Sequence, residues 1–418
     1  MPTISNLALV QRKLSQVELD VACSRHDRLW SSKPGGARAM LAWMDLSGLD
    51  LRGRNLCDAD LSGALLIGCQ MQGVRLDHAV LFGADLQGAD LSEASLRRAD
   101  LRGACLRNAN LTGADLYEAD LREGSMAQAD RREGLRLVEV RVRPANTQGA
   151  VLAGANLERS RLGGVLAQKA DFADALMKDA KLVRANLKQA NLCGADLSGA
   201  DLSGCELSGA DLHDAILVGA RTVGWNVSDA NLQGVLTDEP SGQAVEAPYR
   251  ILIQEHARWC ETGGREGSPS TFDGADLRSL KSVRGFNLTA LSARRAVFFG
   301  LDMEGAQLQG AHLEQADLRN CKLRGADLRG AKLTGAKLNG ADLRDAVMSP
   351  LVLGPERVLP CDLTCASLKG ADLRGANLRQ AVLAEADVSR ADFSGCELRQ
   401  VDATHVVRSG SRGLDDVI

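Results

Sequence analysis

Aromatic residues are scarce, at 3% of the chain, and only 9 of 418 residues are proline. A core of interlocking large rings is therefore excluded, and the interior must be filled by aliphatic and small side chains. Neither sign of charge dominates: 50 Lys and Arg stand against 54 Asp and Glu, a formal net of −4. That balance does not fit a nucleic-acid binder or a protein that rides on anionic membrane. No apolar run is long enough to span a bilayer, and residues 1–19 are polar with scattered aliphatics, unlike a signal sequence. Histidine is rare at 6 residues, and there is no Ser–His–Asp set, no phosphate-cradling Gly–Lys loop and no GxGxxG after a strand. The chain is expected to be no enzyme, and to need no cofactor and no metal.

What it has in abundance is a five-residue period. Residues 190–212 read ANLCG, ADLSG, ADLSG, CELSG, ADL, and the same unit fills most of the chain. Each unit is small–Asp/Asn–Leu–x–x, with central residues at Leu46, Leu51, Leu56, Leu61 and onward. Five residues advance an α-helix by ~500°, which walks the apolar position around the axis. A flat strand would put successive Leu on opposite faces. The spacing fits a chain that turns a corner every five residues, with Leu and its Ala partner inward and the other three positions in water. The Asp before each Leu is expected to bond backbone at the corner.

These residues resemble the pentapeptide-repeat family, whose consensus A(D/N)LXX is met nearly verbatim over about four-fifths of the chain. The resemblance implies an all-β solenoid, here two right-handed quadrilateral β-helices with four repeats per coil and short helical caps. A solenoid offers long regular surfaces and no deep pocket, so a non-enzymatic role in binding another protein is expected. The best-understood members bind bacterial DNA gyrase by mimicking duplex DNA.

In chain order, residues 1–43 form an N-terminal helical cap, since a solenoid end exposes apolar surface and an unpaired edge. Leu14, Val17 and Val21 fall at i, i+3 and i+7 of a short helix, with Ser15 as its N-cap and Leu14 and Leu19 as a hydrophobic staple. The first β-helix occupies 44–237. Its frame is interrupted near 127–134, read as a one-residue bulge or small loop in a continuous helix, because centres at Leu137, Val142 and Thr147 resume the count. Residues 238–270 supply a linker and second cap, 271–403 the second β-helix, and 404–418 a polar, mobile tail. Residues 349–360, with three prolines, should protrude as a loop. His26, Trp30 and Gly35-Gly36 recur as His256, Trp259 and Gly263-Gly264, so both His/Trp pairs are expected to serve the caps.

Of eleven cysteines, Cys69, Cys205, Cys321, Cys361 and Cys396 take the small inward slot, where Cys acts as a compact hydrophobe. Thiols without disulfides suit a cytoplasmic location. His78, His213 and His312 lie outward as ordinary surface. Phe82, Tyr117 and Phe299 follow a central residue, where Ser or Arg is usual, and with Leu351 and Leu353 of the loop they are the first candidates for a partner patch. Residues 44–126 hold 13 acidic and 8 basic residues, and 272–403 hold 17 and 18. Duplex DNA carries a charge every ~1.7 Å of axis, so a gyrase-directed DNA mimic is the lesser expectation. A scaffold binding another protein is favoured. Self-assembly with a second copy is the further alternative, and neither nucleic acid nor membrane is an expected partner.

Overall fold

The computed structural model describes residues 11–126, 141–238, 243–354 and 357–414. They fall into two compact units, Met1–Asp238 and Glu239–Ile418.

In each unit the five-residue unit becomes a corner. The alanine N–H bonds back to the carbonyl of the Leu three residues earlier, as from Ala59 to Leu56 at 3.1 Å. The residue between them takes positive φ, +58° at Asp58 and +62° at Gly63, the third-residue requirement of a tight turn. The Asp before the Leu braces the corner: Asp60 Oδ1 accepts the Ser62 N–H at 3.0 Å. After four corners the chain stacks on itself. Asp60 bridges Val80, Val80 bridges Asp100, and the same step of twenty runs through both units as parallel bridges. Leu46 N–H donates to Leu65 O at 2.8 Å and Asp60 N–H to Ala39 O at 3.0 Å, so each coil is bonded to the next from both sides.

The core follows from the period. Leu61, Leu81 and Leu101 are fully buried with Ala64, Ala84 and Ala104 beside them. Phe172, Phe272, Phe298 and Phe393 take the central slot in place of Leu and are equally buried. Full burial of one such side chain stabilises by about 1.5–3 kcal/mol, so repetition makes a long aliphatic core without large-ring packing.

The bulge expected near 127–134 lies outside the described residues, but its flanks correct the reading of one continuous coil. Cys105 bridges Asn146, and Asp120 bridges Arg161. That step of forty-one is one coil plus an excursion of twenty-one residues. The excursion leaves and returns as an antiparallel pair, β3 (Gly124–Met126) with β4 (Arg141–Arg143), and Val142 pairs with Ser125 instead of centring a coil. A five-residue count can resume by coincidence of length; hydrogen-bond register cannot. A second excursion joins β5 (Leu351–Gly354) to β6 (Arg357–Leu359), also antiparallel, and there the step rises to thirty, Lys332 to Asp362. Near the start of the second unit the step is twenty-one, Asp276 to Val297, before it settles to twenty from Ser282 to Asp302, and a 3-10 turn at Arg278–Leu280 takes up the extra residue.

Other boundaries also move. The ladder begins at Met40, with Leu41 already buried, ahead of residue 44. It continues to Val407 and Arg412, and Leu414 is 2% exposed, so residues 404–414 are no free tail.

The first coil is closed by helix α1 (Gln16–Trp30), capped by Ser15 and Glu18 in a reciprocal box. Its buried stripe is Leu19, Cys23 and His26, while Val17 and Val21 are 72% and 56% exposed. The Val17–Val21 stripe read from spacing was therefore the wrong face. The side chains that count here are those able to bond an open ladder. Gln16 donates Nε2–H to Asp50 O and accepts the Asp50 N–H on Oε1, both at 2.9 Å, standing in for the peptide group of a missing coil. Strand β1 (Arg12–Lys13) pairs in parallel with β2 (Met44–Asp45) on another side of the same end. The second unit opens on α2 (Gln243–Glu261), which buries Ile253, His256 and Ala257. Among the described residues no helix is long and apolar enough to cross a membrane.

Candidate interaction surface

The two caps use their histidines alike. His26 Nδ1 accepts the Ala39 N–H and His256 Nδ1 the Ser270 N–H, each at 3.1 Å. His256 Nε2 faces Thr289 O at 3.2 Å, which fixes it as the protonated nitrogen of a neutral ring. Burial holds this imidazole below its ordinary range.

The rest of the duplicated leader aligns differently from the sequence reading. Trp30 Nε1–H donates to Cys57 O at 3.3 Å. In the second unit the matching carbonyl, Thr289 O, takes the Cys260 S–H at 3.4 Å. Trp30 therefore corresponds to Cys260, while Trp259 stands beside the His256 ring with centroids 5.9 Å apart. The glycines shift too. A Cβ on Gly36 would strike the backbone of Leu29, and one on Gly267 the backbone of Glu255 and Trp259, so Gly267 and not Gly263-Gly264 matches the first leader. A hollow of ≈ 770 Å³ beside α1 is lined by Gln16, Asp20, Asp27, Asp50, Arg52 and Arg54 and does not include His26. Among the described residues, the hydrogen-bond partners found for the two capping imidazoles are backbone groups and not carboxylates.

Phe82, Tyr117 and Phe299 point outward but are half-buried. Each is engaged by arginine or stands beside it. Arg102 lies over Phe82, with Cζ 5.4 Å from the ring centroid, and Cε2 of the ring sits against Gly124 at the base of the first hairpin. Tyr117 is held between Arg97 at 4.7 Å and Arg159 at 6.0 Å, and Arg159 donates to its hydroxyl at 3.0 Å. The ladder sets Phe299 between Arg278 and Arg319. Their side chains are 7% and 3% exposed, against 42% for Arg329 in the same Asp-Leu-Arg motif.

On the second hairpin Leu351 and Leu359 turn down onto Gly330, while Val352, Leu353 and Val358 are 68%, 50% and 48% exposed. Alternation would place Leu353 on the same side as Leu351. A bulge between Val352 and Gly354 turns it out. Sequence reading named Leu351 and Leu353 and missed Val352 and Val358, for which the alternation of a hairpin was the available signal.

The acidic residues are largely spent on corners and on neighbouring arginines. Arg52 pairs with Asp50 at 2.6 Å, Arg102 with Asp100 and Arg122 with Asp120 at 2.7 Å, and Arg344 with Asp342 at 2.6 Å. The Arg52 hydrogen bonds hold the Asp50 carboxyl down at about 2. Cys69, Cys205 and Cys321 donate S–H to carbonyls one coil back, at 3.0, 2.9 and 3.1 Å. Burial pushes the Cys205 thiol up to about 12. Among the described residues no group of three His, Cys, Asp or Glu side chains could hold a metal ion.

The family model for pentapeptide repeats matches in eight copies, over residues 45–81, 75–113, 170–209, 180–219, 311–349 and 361–400. No curated protein sequence matches the chain. Among solved structures, HetL, a pentapeptide repeat protein involved in heterocyst differentiation regulation from Nostoc sp. strain PCC 7120, is 23% identical with a TM-score of 0.19; the match covers 81% of this chain and 88% of that one. QnrB1, a plasmid-mediated fluoroquinolone resistance protein, is 21% identical with a TM-score of 0.26, over 51% and 92% of the two chains. Rfr23, a pentapeptide repeat protein from the cyanobacterium Cyanothece 51142, is 26% identical with a TM-score of 0.21, over 34% and 88%. Superposition scores of this size support no comparison of detail, and the weight rests on the repeat. By its repeat and by the matching family model, the chain belongs to the pentapeptide-repeat family.

Proposed function

We propose that this chain is a non-enzymatic cytoplasmic scaffold: two right-handed quadrilateral β-helices that present rigid faces and hairpins to a protein partner. The observation that carries this reading is the apolar tip of the second hairpin. Val352, Leu353 and Val358 are exposed together on a strand pair seated on the coils through Leu351 and Leu359. Ordering such a patch before binding lowers the entropy lost on association. A stack of near-identical coils offers long regular surface and little of the concavity that small-molecule sites need. The half-buried, arginine-braced Phe82 and Tyr117 are secondary contacts in this reading.

Affinity capture from the source cell's extract, comparing wild type with a Val352→Ser, Leu353→Ser, Val358→Ser variant, tests it. A protein retained by wild type and lost from the variant supports the hairpin as the docking element, and equal capture by both refutes that assignment. Light-scattering mass across a concentration series separates a foreign partner from a second copy, since self-assembly requires mass to rise with concentration. DNA mimicry toward gyrase is less favoured, because Asp50, Asp100 and Asp120 are each neutralised by the arginine two residues on. A topoisomerase supercoiling assay with added protein would settle it.

A further inference from the structure

Cys193 and His213 are twenty residues apart, which the coil period converts into direct neighbours: Asn191 bridges Asp211 just ahead of them. Cys193 Sγ lies 3.7 Å from His213 Nδ1. Asp214 Oδ2 lies 3.7 Å from the same nitrogen. The His213 backbone N–H donates to Asp211 Oδ1 at 3.0 Å, the corner bond that fixes the backbone carrying the imidazole. The His213 side chain is 39% exposed and Cys193 is half-buried, so solvent reaches the pair.

We propose that Cys193 is a reactive thiol, served by His213 as its base and open to S-thiolation by small-molecule disulfides. The chemistry needs no further group. His213 Nδ1 takes the S–H proton, leaving thiolate against imidazolium with the Asp214 carboxylate alongside. The thiolate attacks one sulfur of a disulfide RSSR; the S–S bond breaks, a Cys193 mixed disulfide forms, and the departing RS⁻ takes up a proton. Asp174, whose carboxylate reaches over Gly194 from the preceding coil, is the opposing charge, and Asp211 is engaged with the His213 backbone.

Other thiols are placed differently. Cys23, Cys57, Cys69, Cys205, Cys321 and Cys361 are buried. Cys396 and Cys260 donate to carbonyls, at 2.9 and 3.4 Å. Cys365 is exposed but faces the Glu385 carboxylate at 3.4 Å, which pushes its thiol up. Cys105 is half-buried, and it and Cys365 serve as the internal controls.

The test is timed incubation of the full chain with oxidised glutathione at neutral pH, followed by peptide mass mapping. We expect the glutathione adduct on Cys193 first. His213→Gln should slow it about fivefold, with the rates at Cys105 and Cys365 unchanged. Glutamine already occupies the same column at Gln233, so the coil accepts this change. His213→Lys, which restores a cation beside the sulfur but no base of matched strength, should recover part of the rate. Faster modification of Cys105 or Cys365, or a Cys193 rate indifferent to His213→Gln, overturns the proposal.

Discussion

The guanidinium of Arg102 lies over the ring of Phe82, 5.4 Å from its centroid, and Cε2 of that ring sits against Gly124 at the base of the first hairpin. An outward phenylalanine on a polar coil thus has a local use as the wedge under an excursion. Arg102→Ala should cost about 0.5–1 kcal/mol, through lost cation–π and aliphatic cover. Phe82→Ala should cost more and should open the paired strands Gly124–Met126 and Arg141–Arg143 to limited proteolysis while the coils stay intact. Urea denaturation and timed digestion read the two effects separately. Unaltered digestion of the Phe82 variant would remove its role as a wedge.

The end-capping amide makes a second prediction. Gln16 satisfies both the N–H and the carbonyl of Asp50, and each net hydrogen bond contributes about 0.5–1.5 kcal/mol. Gln16→Leu should therefore destabilise by about 2 kcal/mol, with loss of amide-exchange protection concentrated in residues 41–60. Uniform loss over the first unit would mean that its coils unfold only together.

Two glycines separate strain from contact. Gly325 and Gly330 have φ of +62° and +65°. A Cβ at Gly325 meets nothing within 4 Å, whereas one at Gly330 comes within 2.7 Å of Leu351 Cβ and 3.2 Å of Leu359 Cβ. Gly325→Ala should cost about 1 kcal/mol for the left-handed backbone alone. Gly330→Ala should cost at least about 1 kcal/mol more and should unseat β5 and β6. Equal costs in thermal melts would show that the hairpin does not rest on this corner.

Acid should act in two stages. His256 is held below its ordinary 6.5 by burial, so its neutral form is the native one. Its contribution is complete above about pH 6.5 and is lost as pH falls through the lower folded value. Asp50, depressed to about 2 from 3.8, and Asp342 and Asp372, lowered by hydrogen bonds from Arg344 and Arg374, contribute above about pH 4 and lose it as pH falls toward 2. Denaturation midpoints from pH 8 to 3 should show the second unit weakening first. His256→Gln should flatten that early step and leave the carboxylate step in place; an early step that survives the substitution assigns it elsewhere.

The coil was open to reading from residues such as Leu61 and Ala64 because a strict five-residue period admits few backbone solutions. The corners were too, since Asp before Leu has one backbone N–H within reach. What escaped were features decided by tertiary hydrogen bonds. Residues 135–147 happen to restore the five-residue count, yet the bonds between Gly124–Met126 and Arg141–Arg143 belong to a hairpin. Val17 and Val21 offered an apolar spacing, but the capping helix chose the face that carries Gln16 and His26, because an open ladder needs donors and acceptors more than it needs two valines. Cys193 and His213 looked unrelated until the coil period set them side by side.

The forty-one-residue step from Cys105 to Asn146 and the thirty-residue step from Lys332 to Asp362 leave the bridges above and below them in register. The coils therefore do not sense the length of what is spliced in at a corner, only that both ends return to it. These two corners are natural ports. An unrelated peptide, an affinity epitope or a small folded domain with adjacent termini could replace either hairpin, and each stack of coils could serve as a display scaffold whose cargo is exchanged without redesigning the coils.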